Sequence, residues 1–179
     1  MTNGLVVMTP SSIAYSGTSA SINADGSVDF SAVTFVKLNG IFTSDYDNYM
    51  MTVASNTSAG NTIWGWLTVS GANASPSSYV SQEINANGTA LDSARRSDTT
   101  WIHTYFSPDR RNGATIYFFG PALAQPTAYR WVSSGGYQGA HIVDSSGTHG
   151  GSTVCDGFVL YPTGVATLTG KLTVFGFNQ

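Results

Sequence analysis

The sequence predicts an all-β domain of the sandwich or barrel class, and three observations carry that expectation. Only 9% of the 179 residues are Asp, Glu, Lys or Arg, against about a quarter in an ordinary soluble domain. The chain holds two lysines (Lys37, Lys171) and one glutamate (Glu83), so strong helix formers are scarce. Short alternating runs recur every roughly 8–15 residues between turn signals, with no 3.6-residue apolar stripe set against them. At 41% hydrophobic and 12% aromatic the chain is too apolar to stay disordered. Gly, Ser and Thr supply roughly a third of it, so the surface is wetted by hydroxyls and amides. The length suits one domain, residues 1–179, whose core needs no metal or disulfide staple.

The elements follow in order. Residues 1–18 read as an extended N-terminal arm. Ser19 to Asn23 and Ser27 to Ser31 flank Ala24-Asp25-Gly26, a hairpin in which Gly26 supplies positive φ. Val33 to Leu38 is a near-continuous apolar strand ended by Asn39-Gly40, followed by strands over Asn48 to Ala54, Thr62 to Ser70 and Ser78 to Ile84. The Gly71–Pro76 segment is a loop by composition. Asn85 to Thr99 reads as the longest exposed excursion, where loop-borne function would sit. Thr100 to Phe106 and Ala114 to Phe119 enclose Ser107–Gly113 as a second hairpin. Gly120-Pro121 stops that strand, and Thr127 to Ser133, Gly139 to Val143, Thr153 to Tyr161 and Leu168 to Phe177 supply the last four. Of about a dozen candidates, about eight are expected to form two main sheets.

Two strands are apolar on both faces. With side chains alternating, Leu172 and Val174 oppose Phe175 and Phe177, and Ile116 and Phe118 oppose Tyr117 and Phe119. A loop of the same chain covers the second face, or a neighbouring subunit does. Trp64 and Trp66 flank Gly65 and share one face, either the deepest core layer or a buried subunit contact.

Several functions are excluded. A net charge of -3, with Arg95, Arg96, Arg110, Arg111 and Arg130 scattered, provides no basic stripe for nucleic acid. The lone Cys155 cannot form an internal disulfide and reads as a small buried apolar residue rather than a catalytic thiol. The opening residues predict no signal peptide, and no run approaches the length of a membrane-spanning helix. The sequons at Asn56, Asn73 and Asn87 are expected from an Asn/Ser/Thr-rich surface. There is no phosphate-cradling loop and no dinucleotide fingerprint, so no cofactor is expected.

The chemistry-bearing residues are few. His103, His141 and His149 lack local metal-site spacing, and His149 reads as a loop residue. A single histidine near a threefold axis would nevertheless gather three imidazoles around a zinc or nickel ion, and His103, in an alternating strand, is the candidate. No Gly-x-Ser-x-Gly elbow occurs, and His149-Gly150-Gly151-Ser152 matches an oxyanion loop only superficially. Asp45 and Asp47 resemble the carboxylate pair that glycoside hydrolysis needs, but i,i+2 acids before a strand are commonly turn and cap residues. As a calcium loop the same string lacks its sixth-position Gly and twelfth-position Glu, having Met50 and Asn56. No catalytic residue is therefore assigned. Trp64, Trp66, Tyr79, Trp101, Tyr105, Tyr129, Trp131 and Tyr137 are suited to stacking on sugars, to anchoring a protein contact, or to packing.

The order of strings from Gly4-Leu5-Val6-Val7, through Leu38-Asn39-Gly40-Ile41-Phe42-Thr43-Ser44-Asp45-Tyr46-Asp47-Asn48-Tyr49 and Gly120-Pro121-Ala122-Leu123-Ala124-Gln125-Pro126-Thr127, to Asp156-Gly157-Phe158 and Leu168-Thr169-Gly170-Lys171-Leu172-Thr173-Val174-Phe175-Gly176-Phe177, resembles a family of small virion proteins of tailed bacteriophages. Many of these come from marine phages and are described as tail-fibre or structural proteins. The likeness spans nearly the whole chain. It implies a jelly-roll-like antiparallel β-sandwich that trimerises on the particle exterior, as a tail-fibre or tail-tip head for host attachment or as a capsid decoration protein, without catalytic residues. The partners it implies are copies of itself, the major capsid protein or tail and baseplate proteins, and a host surface glycan. Two-faced strands suit such a closed homotrimer, with Tyr117, Phe119, Phe175, Phe177, Trp64 and Trp66 as candidate interface. The charges gather at Asp45/Asp47, Arg95/Arg96 and Asp109/Arg110/Arg111, the candidate contacts to particle or receptor. The competing class is a module that binds or cleaves host polysaccharide.

Overall fold

Among the described residues fourteen antiparallel strands make up the regular structure and no helix occurs. The computed structural model describes residues 4–74, 78–87, 89–99, 102–106, 108, 111–135 and 141–178. The strands are β1 (Val6–Val7), β2 (Ser12–Ile22), β3 (Val28–Asn39), β4 (Asn48–Thr57), β5 (Asn61–Val69), β6 (Ala72–Asn73), β7 (Tyr79–Asn87), β8 (Ala90–Thr99), β9 (Ile102–Phe106), β10 (Asn112–Phe119), β11 (Thr127–Ser134), β12 (His141–His149), β13 (Gly157–Pro162) and β14 (Leu168–Phe177). They form one sheet in the order β6-β5-β13-β3-β14-β4-β10-β11-β12-β7-β8, with β1 beside β14, β2 beside β3 and β9 beside β5. The expected pair of sheets is thus a single antiparallel sheet curled into a half-barrel.

The curl originates in β3. One edge of β3 carries β2 along its length. The other carries β14 opposite Val28–Val33 and β13 opposite Val36–Leu38, so two walls diverge from one strand. Two bulges bend it. Ala32 takes φ 46° where the β14 register slips, and Thr34 is the extra residue where the β2 register slips between Ser16 and Gly17. Hydroxyls replace the lost ladder bonds: Ala32 N–H donates to Thr169 Oγ1 (2.9 Å) and Thr34 Oγ1 to the Ser16 carbonyl (3.2 Å). Gly17, at φ 134°, lies so close to the Ala32 carbonyl that a Cβ would collide with backbone, so a side chain here would undo the bend. The sequence split β3 in two because Ser31-Ala32 interrupts its alternation; in the fold the interruption is the bend.

The short wall is β9-β5-β13, running into β3, and the long wall is β14-β4-β10-β11-β12-β7-β8. Their inner faces meet across the core. Phe158 of β13 lies 5.2 Å, ring to ring, from Phe118 of β10 and 6.4 Å from Trp131 of β11, each such pair contributing about 0.5–1.5 kcal/mol beyond the area buried. Leu67 N–H of β5 donates to the Tyr79 hydroxyl of β7 (3.1 Å), and Thr104 of β9 hydrogen-bonds Ser133 of β11. Towards β3 the interior is apolar, with Val28, Val33, Val36, Leu38, Leu160 and Leu172 all buried. Towards β7 and β12 it turns polar, with Ser81, Glu83, Ser145 and His149 buried.

Three expectations change here. The Asn85–Thr99 excursion is the end of β7 and the edge strand β8, paired from Asn87↔Ala90 to Tyr79↔Thr99. An edge strand wet on most positions has no apolar alternation to reveal it. The second expected hairpin does not pair: β10 is flanked by β4 and β11, and β9 crosses to β5. The described part of the N-terminal stretch is laid into the sheet, with β1 on β14, Met8 N–H bonded to the Val174 carbonyl (2.8 Å) and Ser11 N–H to the Asn39 carbonyl (2.9 Å).

Candidate functional site

Alternation in β5 buries Ile63 and Leu67 and turns Trp64 and Trp66 outward, half-buried. Gly65 makes this possible, since the Phe158 ring occupies the space its Cβ would take. The tryptophan face is therefore the outside of the short wall, not the deepest core layer. Across the ladder Trp64 pairs with Tyr161 and Trp66 with Val159. Tyr161 stacks on Trp66 at 4.1 Å and 16° and meets Trp64 edge-on at 5.4 Å and 86°. Beside this stack lies a cleft of about 260 Å³ lined by Thr34, Phe35, Lys37, Trp66, Asn73, Val159 and Tyr161. Lys37 Nζ is fixed at its rim by a 2.7 Å bond to the Gly71 carbonyl. Burial raises the Tyr161 hydroxyl above its ordinary pKa. Sequence reasoning missed Tyr161 and Lys37. Tyr161 was legible only as the outward neighbour of Leu160, and Lys37 only as a polar break in an apolar strand.

The outer face of the long wall is different. Phe175 and Tyr117 flank Met50, and Phe177 and Phe119 flank Asn48, in successive rungs across β14, β4 and β10. All four aromatics are partly exposed, Phe119 to 36%, and the Tyr117 and Phe119 rings stack at 6.4 Å and 10°. The next rung is Thr173, Thr52, Thr115 and Val132. Farther out stand Ile142 (55% exposed), Ile84 (54%) and Leu91 (74%). The charge on this stretch includes the bidentate Arg130–Asp144 pair, at 3.0 and 2.6 Å.

The charge clusters do not behave as units. Asp45 and Asp47 are exposed turn residues. Thr43 Oγ1 donates to the Asp45 carboxylate (3.1 Å), Asp47 N–H donates to Asn178 Oδ1 (2.9 Å), and the Tyr49 hydroxyl closes the loop on Thr43 N–H and C=O (2.8 and 2.6 Å). Desolvation is the main reason the Tyr49 hydroxyl titrates above its usual value. Arg95 and Arg96, adjacent in β8, point to opposite faces. Arg95 is exposed, whereas Arg96 turns inward beside buried Glu83 (3.8 Å). The burial of Glu83, the chain's one glutamate, was not legible in sequence because nothing there distinguishes a buried glutamate from a solvated one. Arg111 is exposed next to Asn56 and Thr169. Asp109 and Arg110 lie outside the described residues, as do Trp101 and Tyr137.

Other candidates have structural roles. Tyr79, Tyr129 and Trp131 are core, and burial raises the Tyr129 hydroxyl to about 12. Cys155 is fully buried before β13, and desolvation lifts its thiol to about 11, so it stays protonated and unreactive at neutral pH. His149 is not a loop residue. It ends β12, is 2% exposed, and its ring lies 4.6 Å from that of Tyr79. Desolvation lowers its pKa. His103 sits in β9 opposite Trp64, and its side chain lies outside the described residues. Among the described residues no three His, Cys, Asp or Glu side chains gather into a metal set.

No protein-family model matches this chain, and no curated protein matches it.

Proposed function

We propose that this chain is a non-enzymatic structural protein on the exterior of a tailed-phage particle, a jelly-roll-like sandwich that closes into a homotrimer through the outer face of its long wall. The observation that carries the reading is the row of Tyr117, Phe119, Phe175 and Phe177, partly exposed on the two strands that flank β4, in a chain with only 9% charged residues. Aromatic faces of this kind gain from removing apolar area from water on association. A closed ring of identical contacts hides the face without leaving a free copy to polymerise. The sequence likeness to virion proteins supplies the setting, with major capsid protein or tail and baseplate proteins as further partners. Of the residues that invited catalytic readings, Asp45 and Asp47 stand exposed in the turn before β4, Cys155 is buried in the core and His149 lies against Tyr79.

The test is quantitative mass spectrometry of purified particles of the encoding phage. Many copies per particle support capsid decoration and few support a tail-fibre or tail-tip head, while absence from the particle overturns the reading. A second reading, a carbohydrate-binding module, is favoured by the aromatic cleft of the short wall.

A further inference from the structure

The cleft beside Trp66 lies on the outside of the short wall, on the opposite side of the core from the Phe175 face, and shares no residue with it. Its walls are rigid. Trp66 and Tyr161 brace each other ring on ring at 4.1 Å, and β5, β13 and β3 beneath them are hydrogen-bonded to one another. Ordering these rings on binding therefore costs little. At about 260 Å³ the cleft falls below the roughly 300–1,000 Å³ of drug-sized sites, which suits one ring rather than an extended segment. Among the described residues the lining holds one cation, Lys37, and no carboxylate, on a chain whose net charge is -3. The local sign is thus opposite to that of the molecule. An ammonium has three donors, so Lys37 can take an anion while keeping its bond to the Gly71 carbonyl. Asn73 and Thr34 stand exposed at the rim, and Thr34 Oγ1, donating to the Ser16 carbonyl, keeps its lone pairs for an incoming hydroxyl.

We infer that this cleft binds one pyranose ring of an acidic glycan, a sugar bearing a carboxylate, with its C–H face on Trp66, its carboxylate on Lys37 and its hydroxyls on Asn73 and Thr34. The surfaces match in kind. Such a ring has an apolar face, a polar rim and one negative charge, and the cleft presents an aromatic wall, amide and hydroxyl partners and one positive charge. The inference deepens the carbohydrate-binding reading by naming the sugar class and the residues.

The test titrates the full chain with a polymannuronate hexasaccharide and, separately, with neutral cellohexaose, following tryptophan fluorescence and calorimetric heat. The acidic hexamer is expected to bind saturably and at least about tenfold more tightly than the neutral one, equivalent to about 1.4 kcal/mol. Raising salt from about 0.05 to 0.5 M should weaken only the acidic probe. Lys37→Gln should erase the preference, and Trp66→Ala should abolish binding of both. Equal affinity for the two hexamers overturns the acidic assignment, and no saturable binding of either at about 10 mM overturns the site. If Trp66→Ala lowers the sedimentation mass, the cleft belongs to a second copy of the chain and the inference also fails. Should Trp66→Ala not fold, Lys37→Gln decides alone, because its side chain sits at the rim.

Discussion

The two outer faces of this sheet both carry aromatic side chains and differ in which aromatics they use and how these are arranged. On the short wall Trp64, Trp66 and Tyr161 are drawn together and leave a walled cleft with Lys37 at its edge. On the long wall Tyr117, Phe119, Phe175 and Phe177 stand in separate rungs either side of Met50 and Asn48, continued by threonines. The short wall concentrates shape and charge at one point, as recognition of a small ring requires. The long wall spreads modest apolar area over several rungs, as contact with a broad surface requires. Glycine makes part of the difference: Gly65 lets Phe158 rise beneath the tryptophans, while the rungs at Met50 and Asn48 are fully furnished with side chains.

Both faces are lost together if the walls lose what holds them to each other. Phe158 touches Phe118 and Trp131 from below the cleft, so Phe158→Ala should cost about 3–5 kcal/mol. In urea unfolding this should appear as a large fall in midpoint, with both faces lost together. A smaller effect is expected at the lower rim of the long wall. There Tyr49→Phe removes a hydroxyl that accepts from Thr43 N–H and donates to Thr43 C=O, at about 1–3 kcal/mol for the groups left unpaired. Hydrogen exchange should show it as loosening confined to residues 43–47, with the cleft unchanged.

Acid should loosen the long wall itself, more gently, at the contact between His149 of β12 and Tyr79 of β7. Burial lowers the His149 pKa in the fold below its ordinary 6.5, so the unfolded chain takes up the proton first. The His149 contribution is fully present above pH 6.5 and is lost as pH falls from there through the folded-state value. Wild type should melt at lower temperature as pH drops through that window, and His149→Phe should lose this component while keeping the ring contact with Tyr79. The smallest effect belongs to Arg130→Gln. Its partner Asp144 is the chief reason the guanidinium titrates higher, but the pair is solvent-exposed, and exposed pairs are screened. No measurable change in melting temperature is expected.

Much of the fold was legible, and the physical reason is alternation. Phe118 against Phe119 and Val174 against Phe175 announced inner and outer faces, and scarce helix formers excluded the alternative. Illegible features were those without a local signature. β8, with Asp92, Arg95 and Arg96 on a wet edge, carries no apolar period, and the pairing of β9 with β5 is a long-range choice made because both edges of β10 are taken. At the site, Trp64 and Trp66 were evident as sharing a face, but which face depended on Phe158, roughly ninety residues away in the chain. Lys37 and Tyr161 become a site only once β3 and β13 lie side by side.

The central claim is that the long-wall face is a contact between copies, and sedimentation equilibrium tests it most directly. Wild type at micromolar concentration is predicted to run at three times the 18.8 kDa chain mass, and the double variant Phe175→Ser, Phe177→Ser, folded by circular dichroism, at one chain mass. A wild-type protein at one chain mass, or a double variant still at three, would contradict it.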